Sequence, residues 1–154
     1  MAPMGNTMTR TTAAAACLAL CADLALKWAP LGEARALVPG ILGLTVARNT
    51  GAAFGLLRDS PALIAALTGL LLLAAAVWLT RRPLCGLQAL GAGLMLGGAA
   101  GNLTDRLLHG AVGDYLQFLF ISFPAFNLAD ACLTVGAGLL MLSLLIKGVP
   151  FGEG

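Results

Sequence analysis

The chain has 154 residues, of which 59% are hydrophobic and only 10% charged, and its mean hydropathy is +0.92. Nine basic and seven acidic residues leave a net charge of +2. That is too few to solvate the surface of so apolar a chain and too weak a field for a nucleic acid, so the composition is that of a membrane protein and excludes a nucleic-acid partner. A lone histidine, His109, rules out an H-E-x-x-H zinc site, and no G-x-S-x-G supports a serine triad.

A bilayer core about 30 Å thick needs about 20 apolar residues in a helix. The first predicted span, residues 11–29, opens with an apolar run from Ala13 to Ala22 and then carries Asp23 and Lys27, four apart and so on one helix face. Arg10 and that run also fit a cleaved signal peptide, but the cleavage site would have to be improvised, and its removal would leave three spans with termini on opposite sides. Cys17 and Cys21 read as packing residues rather than metal ligands. With Cys85 and Cys132 they all lie in or beside apolar runs, which argues against a disulfide framework.

Residues 30–59 are broken by Pro30, Gly32, Pro39, Gly40 and Gly43, and the alternation of Leu42, Leu44 and Val46 predicts a short strand, part of a small sheet on the membrane surface. A second span, 60–80, is closed by Arg81 and Arg82. The third, 84–105, is rich in glycine, which permits close helix packing. Residues 106–126 form a loop-and-return, and the last span, 127–147, carries one charge, Asp130. The expectation is an all-α membrane protein: one domain over 1–154, with four transmembrane helices and a small extracytoplasmic β-containing segment between spans 1 and 2. Lysines and arginines near the span ends do not favour either orientation, but Arg81 and Arg82 crowd a very short turn, which places both termini in the cytoplasm.

Ionisable groups at membrane depth are functional hypotheses by default. In this topology Asp23, Lys27, Asp105, Arg106, Asp114 and Asp130 gather on the extracytoplasmic side. Asp114 and Asp130 are sixteen residues apart, and the loop-and-return can bring their carboxyls together. Two carboxyls in a poorly solvated site cannot both ionise, which suits activation of water against an amide carbonyl and protonation of the leaving nitrogen. The alternative from spacing is that Asp114 caps a turn while Asp130 pairs with Lys27 or Arg106. Asp105, beside Arg106 and one turn from Asn102, suits a structural hydrogen-bond network. Asn49 and Asn127 can orient substrate backbone or a carboxyl, and His109 reads as a solvated loop residue. A small proton-coupled carrier using Asp23, Lys27 and Asp130 as a relay is the rival reading, but it should show paired repeats and broken helices, and neither is visible.

Asn49-Thr-Gly-Ala-Ala-Phe54, Gly98-Ala-Ala-Gly-Asn-Leu-Thr-Asp-Arg106, Gly110-Ala-Val-Gly-Asp-Tyr115 and Phe126-Asn-Leu-Ala-Asp130 resemble, in order, the signature blocks of bacterial lipoprotein signal peptidases (signal peptidase II). The resemblance covers essentially the whole chain. It implies a membrane-embedded aspartic endopeptidase of the bacterial inner membrane that removes the signal peptide from diacylglyceryl-modified prolipoproteins just before the lipidated cysteine. By motif the catalytic pair falls on Asp114 and Asp130, with Asp23, Lys27, Asn49, Gly51, Asn102, Asp105, Arg106 and Asn127 around it. No metal or organic cofactor is implied; the partners are lipidated prolipoproteins and membrane lipids, and the chain is expected to be a monomer. Gly and Ala on spans 3 and 4 are expected to leave room for the signal helix and the lipid tails. Three positions depart from the pattern: Leu26 where Ser or Thr is usual, Tyr115 where Phe is common, and Leu133 in place of isoleucine.

Overall fold

The computed structural model describes residues 4–51, 57, 60–81, 84 and 86–147. Phe54, Arg82 and Cys85 of the sequence analysis lie outside them. Seven elements follow in order: α1 (Met4–Trp28), β1 (Arg35–Val38), β2 (Leu42–Asn49), α2 (Pro61–Arg81), α3 (Leu87–His109), β3 (Val112–Phe118) and α4 (Leu128–Lys147).

Among the described residues, three helices contain stretches long and apolar enough to cross a membrane: Arg10–Trp28, Pro61–Leu79 and Leu128–Ile146. Their large side chains, among them Leu18, Leu71 and Leu145, point outward, as lipid-facing surface requires. α3 is different. Gln88, Asn102 and its glycines dilute its hydropathy, and its buried face runs from Gln88 to Asp105. It can be less apolar because its neighbours, rather than lipid, cover much of it.

The glycines of α3 make that covering possible. A Cβ at Gly93 would lie 2.6 Å from the Thr12 carbonyl, and one at Gly97 would lie 2.7 Å from Ala19 Cβ, so this face of α3 meets the backbone of α1. A Cβ at Gly91 would lie 2.7 Å from the Gly136 carbonyl and one at Gly98 2.5 Å from the Ala129 carbonyl, so a second face meets α4. Helix backbones approach this closely only where side chains are absent. The room left by these glycines is therefore filled by α1 and α4, not kept free for a signal helix or lipid tails as the sequence suggested.

The expectation of an all-α fold with strands only between the first two spans needs correcting. The sheet has three antiparallel strands in the order β1-β2-β3, and its third strand comes from the stretch between α3 and α4. Gly113 and Asp114 are poor strand formers, which hid β3 from the sequence pattern. What drives the pairing is burial of Val112 and Tyr115, only 2% and 6% exposed, together with the ladder from Leu42↔Phe118 to Asn49↔Val112. α3 also runs on to His109, closed by Gly110 in the left-handed region at φ 68°, whose N–H donates to the Arg106 carbonyl at 3.0 Å. His109 is thus the last helical residue rather than a loop residue.

Candidate active site

The sheet register puts the first polar pair together. Ala47 faces Asp114 and Asn49 faces Val112. Side chains alternate along a strand, so Asn49 and Asp114 share a sheet face as diagonal neighbours. Asn49 Nδ2 donates to Asp114 Oδ2 at 3.1 Å. On the other side Asn127 Nδ2 donates to Asp114 Oδ1 at 2.7 Å.

Asn127 is also where the strand meets α4. It is the residue before the helix, and its side-chain oxygen accepts from the Asp130 amide at 3.0 Å while its own amide donates to Asp130 Oδ2 at 3.2 Å. This is a reciprocal capping box, with aspartate in the position glutamate usually holds. The N-x-x-D spacing before an apolar run was a signal for it, although the sequence reading gave Asn127 only a polar, orienting role. Asn102 completes the bridge: its Nδ2 donates to Asp130 Oδ1 at 2.9 Å, and its Oδ1 accepts from Asn127 at 3.1 Å and from Lys27 Nζ at 2.9 Å.

Lys27 ties this network to α1. Its ammonium lies 2.8 Å from Asp23 and 3.2 Å from Asp105, with side-chain exposure of only 2%. Asp23 in turn reaches across to α4, where its Oδ1 accepts from the Ala129 amide at 2.9 Å. Asp105 and Arg106, adjacent on α3, point to different partners. Asp105 accepts from the Gly113 amide at 3.0 Å, whereas Arg106 Nη2 donates to the Gly51 carbonyl at 2.7 Å. The Gly51 amide donates back to Asn49 Oδ1 at 3.0 Å, so Arg106 fixes the turn that aims Asn49 at Asp114. Every residue singled out by the sequence motifs is a member of this network. Asp130 makes no ion pair with Lys27 or Arg106 among the described residues, and Asp114 lies in a strand, so the capping-and-pairing alternative is not what the fold adopts.

Burial and the nearby charge of Asp130 push the Asp114 carboxyl up to about 6, against the opposing hydrogen bonds from Asn49 and Asn127 and the charge of Lys27. One of two neighbouring carboxyls therefore holds its proton far more readily than an aspartate in water. A buried acid of raised proton affinity beside a second carboxyl is an arrangement that can give and take protons around one bond.

Asp105 lies in the same network but is 3% exposed and held by Gly113, Lys27 and, at 3.6 Å, His109. Asp105→Asn keeps an acceptor for Gly113 and puts a neutral amide against the ammonium. It should cost about 1–3 kcal/mol of stability and lower the melting temperature in detergent, while cleavage per folded molecule persists. A fully stable but inactive variant would assign Asp105 a chemical role instead.

Residues 15–146 match the family described as Signal peptidase (SPase) II. The chain belongs to the signal peptidase II family. A lipoprotein signal peptidase of Brevibacillus brevis is 38% identical over 129 residues, which cover 81% of this chain and 85% of that protein. The Streptococcus pneumoniae lipoprotein signal peptidase is also 38% identical, over 75% of this chain and 76% of its own length. A solved structure of a bacterial membrane enzyme superposes with a TM-score of 0.81 at 28% identity, covering 94% of this chain and 93% of the other. The peptidase is accordingly a bacterial membrane protease of an aspartic peptidase family. Its apolar helices agree with that location.

Proposed function

We propose that the peptidase removes the signal peptide from diacylglyceryl-modified prolipoproteins, cutting just before the lipidated cysteine, and that Asp114 and Asp130 are its catalytic pair. The observation that supports the pair is their shared bridge, in which Asn127 donates its side-chain amide to Asp114 and its backbone amide to Asp130. Asp114, whose proton is held up to about 6, is the acid, and Asp130 is the base. Asp130 takes a proton from water as the water oxygen bonds to the scissile carbonyl carbon, and Asp114 gives its proton to the carbonyl oxygen. Collapse of the tetrahedral intermediate breaks the C–N bond as Asp130 gives its proton to the leaving nitrogen and Asp114 takes one back from a hydroxyl of the diol, which re-forms the carbonyl and restores both carboxyls. Asn49, held in place by the turn that Arg106 fixes, orients the substrate backbone beside the pair.

The lipid tails of the substrate keep the scissile bond near the membrane surface. Asp114 lies in β3 and is tied to the start of α4 by the Asn127 side chain, and Asp130 lies in the first turn of that helix, so both carboxyls sit at a helix end rather than at mid-membrane. In this reading α3 also crosses the membrane, as the third of four spans, both termini are cytoplasmic, and the site opens towards the extracytoplasmic side of the inner membrane. The single domain acts as a monomer among membrane lipids, without a cofactor.

The test is a gel-shift assay on one prolipoprotein presented with and without its diacylglyceryl group. Cleavage confined to the lipidated form, with the product beginning at the lipidated cysteine, is the expected result; equal cleavage of both forms would sink the substrate assignment. Cysteine labelling in a Cys-free background checks the orientation. A cysteine replacing Arg81 should react from the cytoplasm and one replacing Arg35 from the opposite side, and the reverse pattern would move the pair to the wrong leaflet.

A further inference from the structure

The first amides of a helix have no partner within the helix, and burying them bare is costly. At the start of α4 all of them are satisfied, and by groups from different parts of the chain. The Asn127 amide donates to Asp130 within the capping box, and the Asp130 amide donates to the Asn127 side chain. The Ala129 amide goes to Asp23 of α1. The remaining one, the amide of Leu128, donates to the phenolic oxygen of Tyr115 at 3.1 Å.

Tyr115 follows Asp114 in β3, so its side chain leaves the strand on the opposite face. It is 6% exposed, and its backbone amide donates to the Phe126 carbonyl at 3.1 Å. One residue therefore grips the chain on both sides of Asn127: Phe126 through its backbone and Leu128 through its hydroxyl. Burial holds the phenol proton up to about 12, so the oxygen is a neutral acceptor throughout the working range of a peptidase. Among the described residues no other group accepts from the Leu128 amide.

We propose that Tyr115 is a positioning residue for the catalytic pair: by accepting the Leu128 amide, its hydroxyl locks the first turn of the helix carrying Asp130 to the strand carrying Asp114. The proposal rests on the assignment of those two carboxyls as the catalytic pair. Asn127 ties the same two elements through its buried side-chain amide, which donates to Asp114. The tyrosine adds a second tie from a ring whose orientation is fixed by packing. With two ties about the same hinge, the first turn of α4 can neither slide along the strand nor roll against it. A hydroxyl at this position thus performs a task that a phenylalanine cannot.

Tyr115→Phe removes the acceptor and keeps the ring. Turnover per folded molecule should fall about 10- to 100-fold, the scale expected when reacting groups are displaced by about an ångström, with KM within about twofold because the substrate contacts are untouched. Leu128→Pro supplies the control. Proline is favoured in the first position of a helix and has no N–H, so in that background there is no donor left to orphan. Adding Tyr115→Phe to Leu128→Pro should then change kcat less than about twofold. Equal losses in both backgrounds, or full kcat in Tyr115→Phe alone, would overturn the proposal.

If Leu128→Pro does not fold, hydrogen exchange decides in its place. The Leu128 amide should exchange faster in Tyr115→Phe while amides in the middle of α4 keep their protection, and unchanged protection at Leu128 would overturn the proposal. Asp130→Asn separates this result from the catalytic assignment. Turnover by that variant would remove the pair itself, whereas a Tyr115→Phe loss that Leu128→Pro fails to relieve removes only the positioning role.

Discussion

Asp130→Asn and Asp114→Asn should each lower turnover by about 10⁴-fold on a lipidated prolipoprotein, towards the top of the range for loss of a positioned acid or base, and the double variant should be no slower than either single. Residues that act as one unit are not additive, because once one is lost the other has nothing to exchange a proton with. Both variants should remain folded, since asparagine keeps one oxygen to accept from Asn127 or Asn102. Substantial turnover by either single variant would dissolve the pair. The pH profile carries the same logic. Asp114 must be protonated to act as the acid, and its carboxyl loses its proton as pH rises through about 6. The rate of the free enzyme, kcat/KM, should therefore fall on the alkaline side of that region. The hydrogen bond from Asn49 favours the ionised form, so Asn49→Ala should move the alkaline limb to higher pH. A limb that stays in place, or moves to lower pH, would show that Asp114 is not the proton holder.

Gly101→Ala should be among the most damaging single-methyl changes in the molecule. The new Cβ would press directly on the Asp23 carboxylate. That carboxylate has nowhere to retreat, since one oxygen holds the Ala129 amide and the other holds Lys27. Displacing it would open a buried ion pair, for which losses of about 3–5 kcal/mol are typical. It would also uncap α4 next to Asp130. The yield of folded enzyme and its melting temperature in detergent should both drop sharply. Gly138→Ala is the matched control, as nothing lies within 4 Å of a Cβ there, and alanine is favoured over glycine in a helix by up to about 1 kcal/mol. Equal stability of the two variants would mean that α1 and α3 are not packed through Gly101.

The motifs made the members of the polar network legible, since each is a charged or amide residue, or a glycine beside one, in an otherwise apolar chain. Asp23, Lys27, Asn102, Asp105 and Asp130 stand out against apolar helices, where a charge or amide has little reason to occur unless it has a partner. The partners themselves were harder to read. Asp105 and Arg106 are neighbours in sequence, yet they point to Gly113 and Gly51, because adjacent helical residues lie about 100° apart around the axis. β3 escaped detection since its pairing depends on β2, more than sixty residues earlier, and its own Gly113 and Asp114 argue against a strand. The glycines of α3 announced close packing, but not which neighbour each one admits; that follows from α1 and α4 arriving on different faces. Tyr115 was visible only as an unusual residue beside Asp114, because its hydroxyl acquires a purpose only when the start of α4 is placed beneath it.

The capping of α4 also bears on when the enzyme comes into existence. Asp23 and the amide it holds are 106 residues apart, so the first and last helices must meet before that carboxylate finds its place. A chain emerging from the ribosome has its first aspartate and Lys27 in the membrane long before Asp130 has been made. Loop closure over such a distance is entropically unfavourable until other contacts shorten it, and the glycine faces of α3 provide them by drawing α1 to one side and α4 to the other. With Asp114 and Asp130 as the proposed pair, the hydrolytic centre is a property of the finished chain: an incomplete one carries Asp114 without the carboxyl proposed as its partner.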